Sequence, residues 1–144
     1  MENYEIKFSV GLKNLKECGD LRQKVFVEEQ KFVDEFDMID DNAIHELILL
    51  DTKPVATARA FVADINTLTY KIGRVCVLKE YRNLGLGKLA VINMENYIRK
   101  IGGKTIEISS QMRAEKFYEK LGYEQFGEEY LDENCPHIAM KKEL

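Results

Sequence analysis

Alternating apolar and polar residues along several short stretches predict β-strands. Residues 4–10 show this alternation. Residues 45–63 contain two runs rich in apolar and β-branched residues around a turn at residues 51–54, which predicts a hairpin. Both prolines, Pro54 and Pro136, fall where strands would begin. Further strands are predicted at residues 67–79, with a bend at Gly73, at residues 104–110, and, as a strand or tail, at residues 137–144.

Apolar residues three or four positions apart predict helices elsewhere in the chain. One helix is predicted at residues 12–30, and residues 31–43 are predicted as a loop or a short helix. A second helix at residues 87–103 ends at a pair of glycines, and a third at residues 113–123 also ends at a glycine. The order β-α-(α)-β-β-β-α-β-α-β predicts an α/β fold with a meander in its middle.

The length and composition predict one domain with its own core. The chain has 144 residues, of which 45% are hydrophobic, so it can bury a core without disulfide or metal staples. Its three cysteines are widely spaced and form no C-x-x-C pair, so neither a disulfide framework nor a metal site is expected. No apolar run has the length of a membrane span, and no signal-peptide pattern opens the chain. We therefore expect a cytoplasmic protein that does not bind membranes.

Charge is unevenly distributed along the chain. The net charge is −4, which does not favour non-specific nucleic-acid binding. Residues 71–104 hold eight basic residues against two acidic ones, whereas residues 28–46 hold eight acidic residues against one lysine. These two segments would suit an anionic and a cationic ligand, respectively, although charge runs are commonly solvated faces.

The sequence "VCVLKEYRNLGLGKLAV", residues 75–91, places two glycines one residue apart between a predicted strand and a predicted helix. Glycine adopts positive φ without a Cβ penalty and lets a ligand approach the backbone closely. The helix start adds unpaired N–H groups and the positive end of the helix dipole, so the turn is suited to bind phosphate. Arg82 and Lys88 add positive charge on either side. The spacing fits neither a P-loop nor a Rossmann turn.

The pattern Arg82-x-x-Gly85-x-Gly87 resembles the pyrophosphate-binding signature of the GCN5-related N-acetyltransferases, the GNAT family, which bind acetyl-CoA there. The preceding segment "KIGRVCVLKEYR" resembles the central strand of this family. Downstream, "QMRAEKFYEKLGYE" resembles its next helix. The resemblance covers residues 44–142 and implies a mixed, mostly antiparallel sheet flanked by helices in one domain, with an opening between two splayed parallel strands.

A second resemblance lies nearer the N-terminus, in residues 22–49. This segment is similar to the corresponding region of a poorly characterised bacterial subgroup of the GNAT family. Autoinducer synthases, which make acyl-homoserine lactones on a related fold, carry a similar region. Those synthases are not expected to carry the R-x-x-G-x-G loop, so its presence here favours an acetyltransferase.

The resemblance implies where acetyl-CoA binds. The backbone of the central strand would pair with the pantetheine arm and stabilise the oxyanion. Gln111 stands where the family more often has an asparagine that contacts this arm, so that contact is less well defined here. The strand residues are Val75, Cys76 and Val77, and the residues of the phosphate loop are Arg82, Asn83, Leu84, Gly85, Leu86, Gly87 and Lys88.

Acetyl transfer to an amine requires that a base removes a proton from the ammonium group, and that the leaving thiolate is protonated or tolerated. The resemblance points to Tyr118 as the acid near the thioester sulfur; the alternative is a tyrosine that packs in the core. His45 and Glu46 are candidate bases, as are Glu28 and Glu29 through a water chain, and the residue types do not decide among them. A hydrogen-bonded structural histidine remains the alternative for His45.

Together these features predict an N-acetyltransferase that moves an acetyl group directly from acetyl-CoA to a primary amine. Glu28 and Glu29 belong to the acidic segment and are predicted to bind a cationic small-molecule acceptor; a protein or peptide amine stays open. An acyl-enzyme at Cys76 is less favoured than a buried thiol. A catalytically silent acyl-CoA-binding or sensor domain and an autoinducer synthase-like acyltransferase are the alternative functions. We expect no metal, no nucleic-acid partner, and a monomer or a homodimer.

Overall fold

The computed structural model describes residues 3–32, 35–132 and 134–144. Its strands form one sheet in the order β1-β2-β3-β4-β5-β7-β6. β4 and β5 pair in parallel, whereas the pairs β1–β2, β2–β3, β5–β7 and β6–β7 are antiparallel. The predicted mixed, mostly antiparallel α/β fold is therefore confirmed. The strands are β1 (Tyr4–Val10), β2 (Ile44–Leu50), β3 (Lys53–Asp64), β4 (Thr69–Val77), β5 (Thr105–Gln111), β6 (Glu124–Asp132) and β7 (Cys135–Glu143).

Within the described ranges, three α-helices accompany the sheet: α1 (Lys16–Arg22), α2 (Leu86–Lys100) and α3 (Glu115–Lys120). The first predicted helix, at residues 12–30, is not one regular element. A 3₁₀ turn, Leu12–Asn14, precedes α1, and a π-helical segment, Gln23–Glu29, continues it. Leu21 of α1 and Val25 and Phe26 of the π-helical segment are all buried in one apolar cluster. Part of the segment predicted as a loop or short helix, residues 33 and 34, lies outside the described residues.

β6 is the one described strand that the sequence pattern did not predict. It lies at an edge of the sheet, and each of its nine residues is exposed. With no buried face, a strand has no reason to alternate apolar and polar residues, so the period-2 signal is missing. The predicted positions of the prolines are confirmed, because Pro54 and Pro136 are each the second residue of a strand.

The bend predicted at Gly73 of β4 lies one residue later. Arg74 adopts φ 51°, which is a left-handed conformation, whereas Gly73 does not. The parallel pairing of β4 with β5 runs from Thr69 opposite Thr105 to Ile72 opposite Ile108 and stops there, although both strands continue.

The chain divides into two compact units. The first contains the N-terminal residues through Phe61 together with Arg74–Met94, and the second contains Val62–Gly73 and Glu95–Leu144. The prediction of a single domain stays a prediction. In the first unit, α1 and the π-helical segment pack an apolar cluster against β2 and the end of β4. The members of this cluster are Cys18, Leu21, Val25, Phe26, Leu47, Leu49, Cys76 and Leu78.

The second unit buries isoleucines and a methionine from its strands. It also buries the Glu95 carboxylate, both oxygens of which have hydrogen-bond partners. The Tyr123 hydroxyl donates to the Glu95 carboxylate at 2.7 Å, and the Lys142 ammonium lies 3.1 Å from the same carboxylate. Lys142 also donates to the carbonyl of Leu121 at 2.8 Å. These bonds join α2, the end of α3 and β7, and they hold a carboxylate that is 4% exposed.

Candidate active site

The glycine loop connects β4 to α2 and combines two left-handed residues. After β4, a 3₁₀ turn at Lys79–Tyr81 leads into the loop, where Asn83 has φ 69° and Gly85 has φ 79°. A Cβ at Gly85 would find no atom within 4 Å, so this glycine is required for its backbone conformation and leaves open space beside it. Gly87 is the second residue of α2 and is helical. The two glycines therefore act differently: Gly85 shapes the turn, and Gly87 keeps the helix start free of a side chain.

The start of α2 presents the donors that the sequence predicted. α2 has fifteen residues and no acidic residue in its first turn. Its first unpaired N–H groups and the positive end of its dipole suit an anion. Leu86, which is 2% exposed, anchors the helix start in the core, whereas Asn83, Leu84 and Lys88 are exposed. The loop thus offers an exposed, positively polarised surface, and its predicted role in binding pyrophosphate stays a prediction.

Arg82 is held in place by two partners. Its Nε donates to the carbonyl of Val77, the last residue of β4, at 3.0 Å. Its two terminal nitrogens donate to both carboxylate oxygens of Glu29 at 2.7 and 2.8 Å. Glu29, predicted as an acceptor-binding residue, thus contacts a predicted phosphate-binding residue. Glu28, its neighbour, is exposed.

The predicted pantetheine strand has mixed exposure. Val75 and Val77 are half-buried, whereas Cys76 is 5% exposed and packs in the apolar cluster. Burial raises the pKa of the Cys76 thiol, with a further increase from the Glu35 carboxylate. Because the thiol form is the poor nucleophile, this environment favours a buried hydrophobic cysteine rather than an acyl-enzyme.

His45 lies on β2 and is completely buried. Its Nε2 lies 3.0 Å from the carbonyl oxygen of Asp40, which can only accept, so Nε2 carries the proton. Nδ1 has no hydrogen-bond partner among the described residues. Burial lowers the pKa of His45, because it disfavours the imidazolium. The catalytic role of His45 stays a prediction.

Glu46 is also completely buried. Neither of its carboxylate oxygens has a hydrogen-bond partner in the described part of the chain, and burial raises its pKa to about 9. The Asn93 side chain is near enough to oppose this shift, but its amide nitrogen makes no hydrogen bond of good geometry to a described residue. The carboxyl is therefore neutral near pH 7. A neutral carboxyl must first lose its own proton to act as a base, and the role of Glu46 stays a prediction.

A buried ion network in the first unit was not predicted from the sequence. Arg22 binds Glu35 at 2.8 Å and Asp40 at 2.7 Å. Arg59 binds Asp40 at 3.0 Å and Asp37 at 2.7 Å. Arg74 adds a third cation, with its Nε 3.0 Å from the Glu35 carboxylate. Three carboxylates of the acidic segment thus neutralise three arginines, so they are not free to receive a cationic acceptor.

Burial and pairing act in opposite directions on the acids of this network. Burial would raise the pKa of Asp40, but hydrogen bonds from Arg22 and Arg59 outweigh it and lower that pKa to about 2. For Glu35, burial prevails over Arg22 and Arg74, and its pKa is raised. The sequence contains one sign of this buried ion network: Arg22, next to Leu21, interrupts the apolar face of the first helix.

Tyr118 and Gln111 lie in the second unit. Tyr118 is 9% exposed, and its ring packs edge-on against Phe117 and Tyr123 at centroid distances of 5.0 and 5.9 Å. Burial raises its pKa to about 12. Gln111 is the last residue of β5 and is half-buried. The predicted roles of both residues stay predictions.

Comparison with known proteins identifies the family. The domain profile described as an acetyltransferase (GNAT) domain matches residues 14–144. The chain belongs to the GNAT acetyltransferase family. The predicted family resemblance is therefore confirmed, and the protein falls in a family of acyltransferases whose donors are acetyl-CoA or another acyl-CoA.

Individual relatives share most of their length with this GNAT protein. YyaT of Bacillus subtilis (strain 168) is 35% identical over 136 residues, which cover 91% of this chain and 90% of YyaT. YjcF of the same organism, named as an uncharacterized N-acetyltransferase, is 32% identical over 132 residues, which cover 90% of this chain and 92% of YjcF. A crystal structure from Lactobacillus plantarum, assigned as an N-acetyltransferase, has a TM-score of 0.89 and 31% identity, and covers 98% of both chains.

No group of three or more His, Cys, Asp or Glu side chains among the described residues is arranged to hold a metal ion. No helix in the described ranges is long and apolar enough to cross a membrane.

Proposed function

We propose that this GNAT protein is an N-acetyltransferase that transfers the acetyl group of acetyl-CoA to a primary amine by direct transfer. The observation that carries the proposal is the loop Arg82–Lys88. It joins a strand to the open N-terminus of a fifteen-residue helix through a left-handed glycine with free space beside it. An ordinary tight turn needs neither an open helix start nor free space beside its glycine, whereas a pyrophosphate group would use both.

The donor would supply an activated acetyl thioester. In the first unit, the loop amides and the start of α2 would hold its phosphates, with Arg82 and Lys88 adding charge. The Arg82 guanidinium must then exchange the Glu29 carboxylate for phosphate oxygens, or contact them with its remaining N–H groups. The backbone of Val75, Cys76 and Val77 is proposed for the pantetheine arm on the family resemblance.

Tyr118 is proposed to donate a hydrogen bond to the departing sulfur. An ordinary thiol has a pKa of about 8.5, whereas burial raises that of Tyr118 to about 12. Complete proton transfer from the phenol to the thiolate would therefore be uphill. A hydrogen bond to the sulfur still stabilises the developing charge, and the proton that finally neutralises the thiolate would come from solvent.

A cationic small-molecule amine is the proposed acceptor, with a protein or peptide amine as the alternative. Fewer carboxylates are available to bind a cation than the acidic segment suggested, because Glu35, Asp37 and Asp40 are paired with arginines. The exposed Glu28 remains, together with Glu29, if donor binding releases it from Arg82.

The deciding experiment combines donor binding with turnover. Calorimetry should show binding of acetyl-CoA and CoA, and saturating CoA at about 100 times its Kd should stabilise the fold by ~2.7 kcal/mol. A thiol-release assay with acetyl-CoA and a broad panel of amines should then reveal an accepted acceptor. Absence of CoA binding would refute the proposal.

The alternative functions give different results in the same assays. A silent acyl-CoA-binding or sensor domain would bind CoA but release no thiol with any amine. An autoinducer synthase-like enzyme would release thiol only with S-adenosylmethionine as the amine and would favour longer acyl donors. Acetyl-CoA turnover with simple amines excludes both.

A further inference from the structure

One face of the sheet in the second unit carries polar and aromatic groups in register. Directly opposite residues of antiparallel strands point to the same face. His137 of β7 lies opposite Gln111 of β5 on one side and opposite Tyr130 of β6 on the other. Ala139, two residues along β7, lies opposite Ser109 and Phe126. The row Gln111–His137–Tyr130 therefore lies next to the row Ser109–Ala139–Phe126 on the same face of the sheet.

The hydrogen bond that His137 makes determines which of its nitrogens can accept a proton. Nδ1 lies 2.7 Å from the carbonyl oxygen of Cys135. A carbonyl only accepts, so Nδ1 must be the donor and must carry the ring proton. In the neutral ring, Nε2 then carries the lone pair. This arrangement, with one ring nitrogen fixed by a backbone carbonyl, is the one that holds a histidine ready as a base.

Two contacts hold the ring in position. His137 stacks on Tyr130 with a centroid distance of 5.8 Å and an interplanar angle of 28°. The Tyr130 hydroxyl contacts the Ser109 hydroxyl, so Tyr130 is itself tied to β5. Tyr130 is 39% exposed, whereas His137 is 7% exposed. The imidazole is thus held in a fixed orientation, almost completely buried, against an exposed tyrosine ring.

Among the described residues, no charged side chain lies directly opposite His137 in the sheet. Glu107, Lys141 and Glu124 form a separate row, four residues away from the His137 row along β5 and β7. Asp132 acts on Tyr130, where burial and this carboxylate together raise the pKa of the phenol. Lys141 lies over the Phe126 ring at 5.6 Å.

The other histidine of the chain provides the contrast. His45 is 0% exposed, and its free nitrogen, Nδ1, is enclosed in the first unit. His137 has the same kind of fixed tautomer on a face that is partly open. Since the chain has only two histidines, each can be tested against the other.

We propose that His137 is the general base that deprotonates the acceptor amine, and that the face formed by Gln111, His137, Tyr130 and Ser109 binds this acceptor. In the step, an N–H bond of the acceptor ammonium breaks and a bond from that proton to Nε2 forms. The products are a neutral amine with a free lone pair and an imidazolium that later returns its proton to solvent. The proposal rests on the proposed function, because it assigns the base of that reaction.

The experiment compares His137→Gln with His45→Gln, the variant of the rival candidate base, in the intact folded protein. With an accepted amine, we expect His137→Gln to lower kcat/KM by about 10²–10⁴, the usual contribution of a general base. The acidic limb of the pH–rate profile should disappear, while the Kd of CoA stays within about twofold of wild type, since the base acts on the acceptor. The defect should shrink for weakly basic amines, which need less help to lose a proton. His45→Gln tests the rival candidate base, and loss of the acidic limb in that variant instead would assign the base to His45.

A second readout does not depend on turnover. The ¹H–¹⁵N spectra of the two histidine rings, assigned with the two variants, should show a protonated Nδ1 and an unprotonated Nε2 for His137 at pH 8. Diethyl pyrocarbonate should modify His137 and leave His45 unmodified in the folded protein.

The outcomes separate the two proposals. A pH profile that is lost in His45→Gln and kept in His137→Gln would overturn the assignment, as would a His137 ring that is protonated on Nε2 at pH 8 or is not modified by the reagent. Absence of turnover with every amine, together with intact CoA binding, would refute the proposed function and the base role with it. Absence of CoA binding would refute the proposed function at its first step.

Discussion

The guanidinium of Arg82 and the carboxylate of Glu29 form a bidentate ion pair, with N···O distances of 2.7 and 2.8 Å. The residues are 53 positions apart in the sequence. Each side chain is about one-third exposed, at 35% and 36%, so solvent and salt weaken the pair. Glu29 therefore occupies both terminal nitrogens of Arg82, which a phosphate would have to compete for.

Glu29→Gln should strengthen CoA binding. The change removes a carboxylate that competes for Arg82 and repels the pyrophosphate, so we expect a Kd lower by about 2- to 10-fold, equivalent to roughly 0.4–1.4 kcal/mol. The gain should decrease as salt is added, because exposed charges are screened. Isothermal titration calorimetry at two salt concentrations measures both effects.

Glu28→Gln is the matched control, since Glu28 is the exposed neighbour and should leave the Kd of CoA unchanged. If Glu29→Gln instead raises the KM of the acceptor with no change in CoA affinity, Glu29 binds the acceptor in the manner that its position in the acidic segment predicted.

Gly85→Val should weaken CoA binding by at least tenfold while the protein stays folded. The backbone at Gly85 has φ 79° with open space around it, so valine introduces backbone strain of about 1–2 kcal/mol. The branched side chain also occupies the space that a phosphate would need. Circular dichroism checks the fold, and calorimetry measures the affinity.

Gly102→Val separates strain from binding. Gly102 has φ 98° and equally open space, but it follows α2 at its far end. The Gly102→Val variant should lose about as much folding stability as Gly85→Val and should keep the wild-type Kd for CoA. Equal losses of affinity in both variants would show that strain alone explains the effect.

Glu46→Gln should stabilise the protein above neutral pH. The folded-state pKa of Glu46 is raised from 4.5 to about 9. The folded state therefore holds this proton more tightly than the unfolded state does. Stability from this group is fully present below pH 4.5 and is lost as pH rises towards 9, at about 1.4 kcal/mol per pH unit. Glu46→Gln has no carboxyl to ionise, so its stability does not fall in this way as pH rises. Its Tm at pH 8 should therefore exceed that of wild type by several degrees. Near pH 4.5, the Tm values of the variant and the wild type should be similar.

Thermal unfolding across pH 4.5–9 measures this difference. Asp40→Asn gives the opposite sign, because arginines lower the pKa of Asp40 to about 2 and the charged form is the stabilising one. A Tm difference between Glu46→Gln and wild type that does not grow with pH would mean that Glu46 is not a neutral buried acid.

Tyr118→Phe should lower kcat by roughly tenfold or more, at the lower end of the usual acid–base contribution, with little change in the Kd of CoA. Only a hydroxyl is removed, and the ring keeps its packing against Phe117 and Tyr123. Stopped-flow or steady-state thiol release with an accepted amine measures the loss.

Tyr123→Phe is the control for Tyr118→Phe. It removes a hydroxyl that donates to Glu95, so it should lower the Tm and spare kcat. Wild-type turnover in Tyr118→Phe would assign that tyrosine to core packing.

Local features of the site were predictable because neighbouring residues encode them. The position of the Arg82–Gly85–Gly87 loop, between a strand and a helix, follows from sequence spacing and is where the structure has it. α2 and six of the seven described strands follow from periodicity for the same reason. β6 did not, since a strand exposed on both faces carries no alternation.

The partners of the charged residues depend on the tertiary structure. Arg22 meets Glu35 and Asp40 across 13 and 18 positions, and no short-range pattern encodes such a pairing. The acidic segment therefore predicted a surface for cations, although three of its carboxylates are paired with arginines in the first unit. Glu46 and His45 were candidate bases by residue type, and only the packing of β2 shows that both are enclosed.

Spacing along the chain specifies backbone conformation and helix faces, because these depend on residues a few positions apart. Protonation state, tautomer and charge pairing depend on desolvation and on groups brought together from distant segments. His137 illustrates the difference: its residue type and position at the start of a strand were evident from the sequence, but the Cys135 carbonyl, the Tyr130 ring and the register with Gln111 come together only in the folded sheet.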